Sequence, residues 1–230
     1  MTTEIRVKAS QYASVANGQD GFPVDVRGTR DGSISVVDFL NLKNMEGKVF
    51  TVNIGALSTP IAGDGTILDQ DRPVGLISIP TGYAIMLNRV SAQCQTPLIA
   101  TDADESEILL AVDRSAAWDG TGTATAETAI PLRTDNKRVS ACTCKSAFTA
   151  DITTVPVLGI ELARKVITAD ILLASTPTNA LWGKLALDYE PMVKPIIVGP
   201  AMVCLYWGGT VATTGFAQIE WAEYLTTDFT

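Results

Sequence analysis

CLYWGGTVATTGFAQIEWAEY, Cys204–Tyr224, is the stretch whose reading decides the fold class of this 230-residue chain. Apolar residues recur at every second position on both sides of a Gly-Gly step. In its second half Ala217, Ile219, Trp221, Glu223 and Leu225 alternate with Phe216, Gln218, Glu220, Ala222 and Tyr224. A period of two is the strand period, because successive side chains leave opposite faces. The rival reading, a phosphate-binding loop, lacks the following Lys-Ser/Thr and a helix for the phosphate to cap. The expectation is a closing hairpin, two strands joined by the loop Gly208–Gly215. Gly208 and Gly209 would turn the chain away from Trp207, and Gly215 would return it to the sheet. Both faces of 216–225 mix apolar and polar groups, so contact on both sides is expected, from packed sheets or from subunits.

The same rhythm runs outward through the chain. KVFTVNIGAL (48–57) alternates Phe50, Val52 and Ile54 with Val49, Thr51 and Asn53. VGLISIP (74–80) and YAIMLNRVSAQCQ (83–95) are strands split by the turn cluster PTG. Further strands are expected at 108–114, 138–148, 157–166, 183–191, 195–207 and 216–225, with a Gly/Thr turn and extended segment at 116–128. The loops include 60–73 and the acidic run 101–107. Residues 34–42 fit a helix or a strand. The best helix rival is 160–175, where Leu162, Val166 and Ala169 share a face, but its β-branched content favours strand. Many short strands with Gly, Pro, Thr and Asn punctuation predict an all-β sandwich or barrel.

Composition sets the limits. Hydrophobic residues make up 47% and charged ones 18%, enough for a large core without disulfides. So little charge also implies a surface partly covered by partners. The net charge of −8 argues against direct nucleic-acid binding, which needs a basic footprint. No apolar run reaches the ~18 residues of a membrane span, and MTTEIRVKAS holds no signal-peptide core. Synthesis in the cytoplasm is therefore expected. The chain has no histidine, which removes His-based triads, His-ligated metals and His switches.

Few constellations point to chemistry. The glycines at 63–65, 120–122 and 208–215 fit turns better than ligands. Cys142 and Cys144 in CTC share a face if the segment is a strand. With Cys94 and Cys204 they make a four-thiolate zinc site conceivable, but there is no C-x-x-C knuckle, and buried thiols are expected. Asp102, Asp104, Glu105 and Glu107 are an acidic loop without EF-hand spacing, solvated by default and a minor calcium candidate. Asp113, Asp119, Asp188, Glu190, Glu220 and Glu223 could hide a glycosidase pair, yet nothing selects two of them. No catalytic residue, metal or cofactor is expected. Trp118, Trp182, Trp207 and Trp221 fall near strand ends, where burial in a core or subunit interface outweighs stacking on sugars. Residues 1–33 are polar and turn-rich, with Arg6, Lys8, Arg27 and Arg30 set against an acidic body. They suit an arm that docks on a neighbour, or a loosely ordered terminus.

The pattern VGLISIPTGYAIMLNRVSAQCQT (74–96), an acidic turn, and EILLAVDRSAAWDGTGTATAETAIPLRTDN (107–136) resembles the first half of a viral jelly roll. With YWGGT and GFAQIEWAEY near its end, the chain is similar to bacteriophage virion structural proteins over residues 48–230. The resemblance implies self-association, commonly as trimers, contact with other capsid proteins, and residence in the virion. It brings no catalytic residues. The long spine helix and greater length of tailed-phage shell proteins are not evident, so a decorating or minor capsid role fits better. The expectation is a single jelly-roll-like β-sandwich at 46–230 behind an arm and connecting segment at 1–45. Arg6, Lys8, Arg27, Arg30, Trp207 and Trp221 are the expected interface residues. The alternative is a carbohydrate- or receptor-binding sandwich of a phage particle, which needs exposed tryptophans.

Overall fold

Strands take up about half of the described residues. The computed structural model describes residues 39–63, 68–94, 104–135, 137–169, 185–209 and 213–229. A short helix α1 (Phe39–Met45) precedes β1 (Val49–Ile54) and β2 (Ile61–Ala62). Then come β3 (Gly75–Ile79), β4 (Tyr83–Cys94), β5 (Asp104–Asp113), β6 (Thr125–Glu127) and β7 (Ile130–Pro131). The second half holds β8 (Thr143–Ser146), β9 (Ile160–Ala169), β10 (Ala186–Tyr189), β11 (Ile196–Val198), β12 (Ala201–Gly209) and β13 (Thr214–Leu225).

These strands form two antiparallel sheets, and the protein is an all-β sandwich. The seven-stranded sheet has the order β10-β4-β13-β1-β7, with β11 added to β4 and β2 to β13. The six-stranded sheet has the order β6-β8-β3-β12-β5-β9. The inner faces meet in one core. Phe50, Val52, Leu87, Ile219 and Trp221 come from one sheet, and Ile77, Ile108, Leu110, Val203 and Trp207 from the other. Alternate residues of the central strands supply most of this core, which is why the period of two was visible beforehand.

Several expectations need correction. Cys204–Tyr224 is not a hairpin: β12 pairs with β3 and β5, while β13 pairs with β1, β2 and β4. Gly208 and Gly209 belong to β12, opposite Glu107 and Ser106, so the connection is a crossover between sheets, shorter than Gly208–Gly215. Alternation gives the strands but not the sheet each one joins. The PTG turn likewise passes the chain from one sheet to the other. The acidic run is strand from Asp104 onward, because β5 finds β9 as a partner along its length. The helix rival at 160–175 is strand through Ala169. The expected strand 195–207 is two, β11 and β12, broken at a cis Gly199–Pro200 peptide. A side chain on Gly199 would collide with the Pro80 carbonyl, so only glycine fits there. Of the segment 34–42, residues from Phe39 onward are helical; the arm residues 1–33 lie outside the described residues.

Candidate functional site

The two outer faces of the sandwich are finished differently. On the six-stranded sheet Leu76, Leu109, Ala111, Met202, Cys204 and Tyr206 form a second apolar layer. The chain covers it with its own loops, through Phe148, Ile152 and partly buried Trp118, Leu68 and Leu158. Trp118 meets Phe148 edge to face at 6.4 Å, its Nε1 donates to the Thr121 carbonyl at 2.8 Å, and Lys145 lies 5.1 Å above its ring. Buried Asp113 anchors the loops, accepting from Ser115 N at 2.6 Å and Val157 N at 2.7 Å.

On the seven-stranded sheet the cover among the described residues is α1, through Leu40 over Val49, Met86, Ala222 and Tyr224. Beside it lies a cleft of about 260 Å³, built around an irregularity in β4. Glu220 pairs with Arg89 and Trp221 with Leu87, which leaves Asn88 as an extra residue. Such a bulge breaks the alternation of sides. Leu87 and Val90 therefore both enter the core, while Asn88 and Arg89 between them line the cleft. The bulge sits where the neighbour of β4 changes from β10 to β11. Lys194 Nζ closes that gap by donating to the Asn88 carbonyl at 2.9 Å. Leu87 N donates to the Pro195 carbonyl at 3.1 Å.

The cleft is polar and incompletely satisfied. Arg89 is forked onto Asp188, Nε to Oδ1 at 3.0 Å and Nη2 to Oδ2 at 3.2 Å, and this bond pushes its guanidinium pKa up. Lys194 lies 3.9 Å from Glu190. The side chain of Glu220, on the cleft wall, acts on Arg89 through its charge but makes no hydrogen bond or close ion pair among the described residues. Asn88 is 8% exposed, and its Oδ1 and that of Asn44 are buried with no hydrogen-bond partner among the described residues. Both residues line the cleft.

Next along the chain is an exposed apolar run. Ile197 of β11 enters the core, which turns Ile196 and Val198, each 53% exposed, outward. Met192 and Val193 precede them at 100% and 84% exposed.

The residues expected at sites are placed as follows. Trp207 and Trp221, expected at an interface, lie inside the chain at 1% and 0% exposed. Their positions in β12 and β13 point them between the sheets, where Trp207 Nε1 donates to the Ile61 carbonyl at 3.1 Å and Trp221 Nε1 to Glu223 Oε1 at 3.1 Å. Trp118 is half-buried, with Lys145 over one side of its ring. Arg6, Lys8, Arg27, Arg30 and Trp182 lie outside the described residues. Cys94, Cys142 and Cys144 are in the central core, and Cys204 is on the opposite face of β12, so the sheet separates it from the others. Burial pushes the thiols of Cys94, Cys144 and Cys204 up to about 12, and that of Cys142 up as well. Asp102 is outside the described residues, and Glu107 accepts from Arg164 Nη1 at 2.6 Å. Among the described residues no group of three His, Cys, Asp or Glu side chains is placed to hold a metal.

The six carboxylates weighed as a glycosidase pair divide between the covered face, the core and the cleft. Asp113 and Asp119 hold loops on the covered face, and Glu223 is bonded to Trp221 and Ser140. Asp188 is tied to Arg89, and Glu190 and Glu220 share the cleft. Asn44, Asn88 and Lys194 were not singled out from the sequence. The available signal was LNRV (87–90), two polar residues in succession inside an apolar alternation.

No protein-family model, curated protein or solved structure matches this chain. The functional reading rests on its own topology and surface.

Proposed function

We propose that the chain is a virion structural protein, a jelly-roll sandwich that self-associates to build or clad a phage particle. The observation that carries self-association is the exposed apolar run Met192, Val193, Ile196 and Val198 beside a filled core. Contiguous apolar surface of this kind marks an association site. The jelly-roll reading is supported by nested pairing. Counting β1, β3, β4, β5, β9, β10, β12 and β13 as the principal strands, the first pairs with the last, β3 with β12, β4 with β10, and β5 with β9. A jelly roll of eight strands in two sheets is folded in this nested way. The net charge of −8 supports protein partners, namely itself as a trimer and other capsid proteins, over nucleic acid. Residues 1–38 would serve as an arm reaching a neighbour, and the protein would reside in the virion.

Light scattering after size exclusion of the full chain tests this reading. A trimer or larger closed assembly that dissociates when Ile196 and Val198 are both changed to Lys supports it. A monomer throughout the micromolar range overturns it.

A further inference from the structure

We propose that the cleft at the β4 bulge is a receptor for a guanidinium group, supplied by Arg27 or Arg30 of the N-terminal segment. The inference deepens the assembly reading above and rests on it for the role of that segment.

The cleft asks for a donor. Asn88 Oδ1 and Asn44 Oδ1 are buried acceptors with no donor among the described residues. A buried carbonyl oxygen left unpaired is costly, and a guest with N–H groups removes that cost. Rotation about the terminal torsion of an asparagine is broad, so either oxygen can turn to a guest. The local charge has the matching sign. Arg89 is already committed to Asp188, and Lys194 to the Asn88 carbonyl and Glu190. Glu220 acts on the Arg89 guanidinium through its charge, but its side chain makes no hydrogen bond or close ion pair among the described residues. The apolar walls, Leu40 and Leu132, suit the methylene stem of a long cationic side chain. Guanidinium fits better than ammonium because its planar fork serves several acceptors at once.

Position selects the donor. Leu40 and Asn44 on the cleft wall belong to α1, and residues 1–38 run directly into that helix. Arg30 stands ten residues before Leu40. An extended span of that length reaches roughly 33 Å, enough to reach the cleft of its own chain or of a neighbour. The segment also carries Glu4, Asp20, Asp25, Asp31 and Asp38, so its overall charge does not draw it in. The attraction is between one guanidinium and one cleft.

Trypsin supplies the test, because it must take the same guanidinium into its own pocket. The rates of cleavage after Arg27 and Arg30 in the full chain are compared with those of the same bonds in a free peptide of residues 20–38. Expected is protection of one of these bonds by about tenfold or more, equivalent to about 1.4 kcal/mol. That protection is lost in Glu220→Gln and in Asn44→Ala, while melting shows both variants still folded. Rates equal to those of the peptide overturn the proposal, as does protection that survives both substitutions. Concentration dependence of the protection separates seating on a neighbour from seating on the same chain. Light scattering on the same samples keeps the two readings apart: an assembly with unprotected arginines refutes the cleft alone, and a monomer with protected arginines refutes assembly alone.

Discussion

The two outer faces of this sandwich began from the same material and were finished by different means. Both sheets carry buried residues on their outward side, Met202, Cys204 and Tyr206 on one and Met86, Ala222 and Tyr224 on the other. Over the six-stranded sheet the chain lays its own loops and completes a second apolar layer. Over the seven-stranded sheet the described residues lay α1, with two asparagine oxygens unpaired among them and four apolar side chains in water. A closed face carries stability. An open face with unmet hydrogen-bonding capacity is where the proposed assembly would add contacts.

The covered face gives the largest effect. Phe148→Ala removes the ring that seals Met202 and Tyr206, and a cost of about 3–5 kcal/mol is expected in denaturant unfolding. A change below about 1 kcal/mol would mean that the loops drape over the sheet without stabilising it, and the contrast between the faces would fail. Asp113→Ala acts on the same cover from below. It leaves Ser115 N and Val157 N without their acceptor, at an expected cost of about 2–3 kcal/mol.

On the open face the same measurement gives little. Ile196→Lys and Val198→Lys place charges where side chains already meet water, so stability stays within about 0.5 kcal/mol. Self-association weakens roughly tenfold or more instead, read by sedimentation. If either change destabilised the monomer as Phe148→Ala does, the run would belong to the fold rather than to a partner.

The legible part of the molecule was what alternation controls. Val52, Ile54, Val203 and Ile219 announced themselves by period, since a strand has only two faces and the core occupies one. Sheet membership was not legible. Trp207 and Trp221 look like two arms of a hairpin, yet the nearest partner of β12 in sequence is not its partner in space, because a crossover and a hairpin use the same residues. The cleft was hidden for a related reason. Asn88 is unremarkable by type, and its role comes from a bulge that depends on where β10 ends and β11 begins. That event lies about a hundred residues away in the chain, at Tyr189 and Ile196.

The smallest effect sharpens the comparison through pH. Asp119 sits in the cover of the closed face. Against the desolvation that raises its pKa, hydrogen bonds from Thr121 Oγ1, Thr121 N and Thr154 N hold the carboxyl down at about 2. A carboxyl depressed in the folded state stabilises above its unfolded pKa of about 3.9 and loses that contribution as pH falls through the folded value. The window is therefore about pH 4 down to 2, and the free-energy change is small because the group is exposed and screened by solvent. Trp118 lies one residue away and packs on Phe148, so its fluorescence reports the loop directly. Acidification should shift the Trp118 signal in this window while Trp207 and Trp221, between the sheets, keep theirs. Single-tryptophan variants separate the signals, and Asp119→Asn should remove the transition. A Trp118 signal that stays flat to pH 2, or one that moves together with the core indoles, would mean that the cover is fused to the core and that the closed face has no independent layer to open.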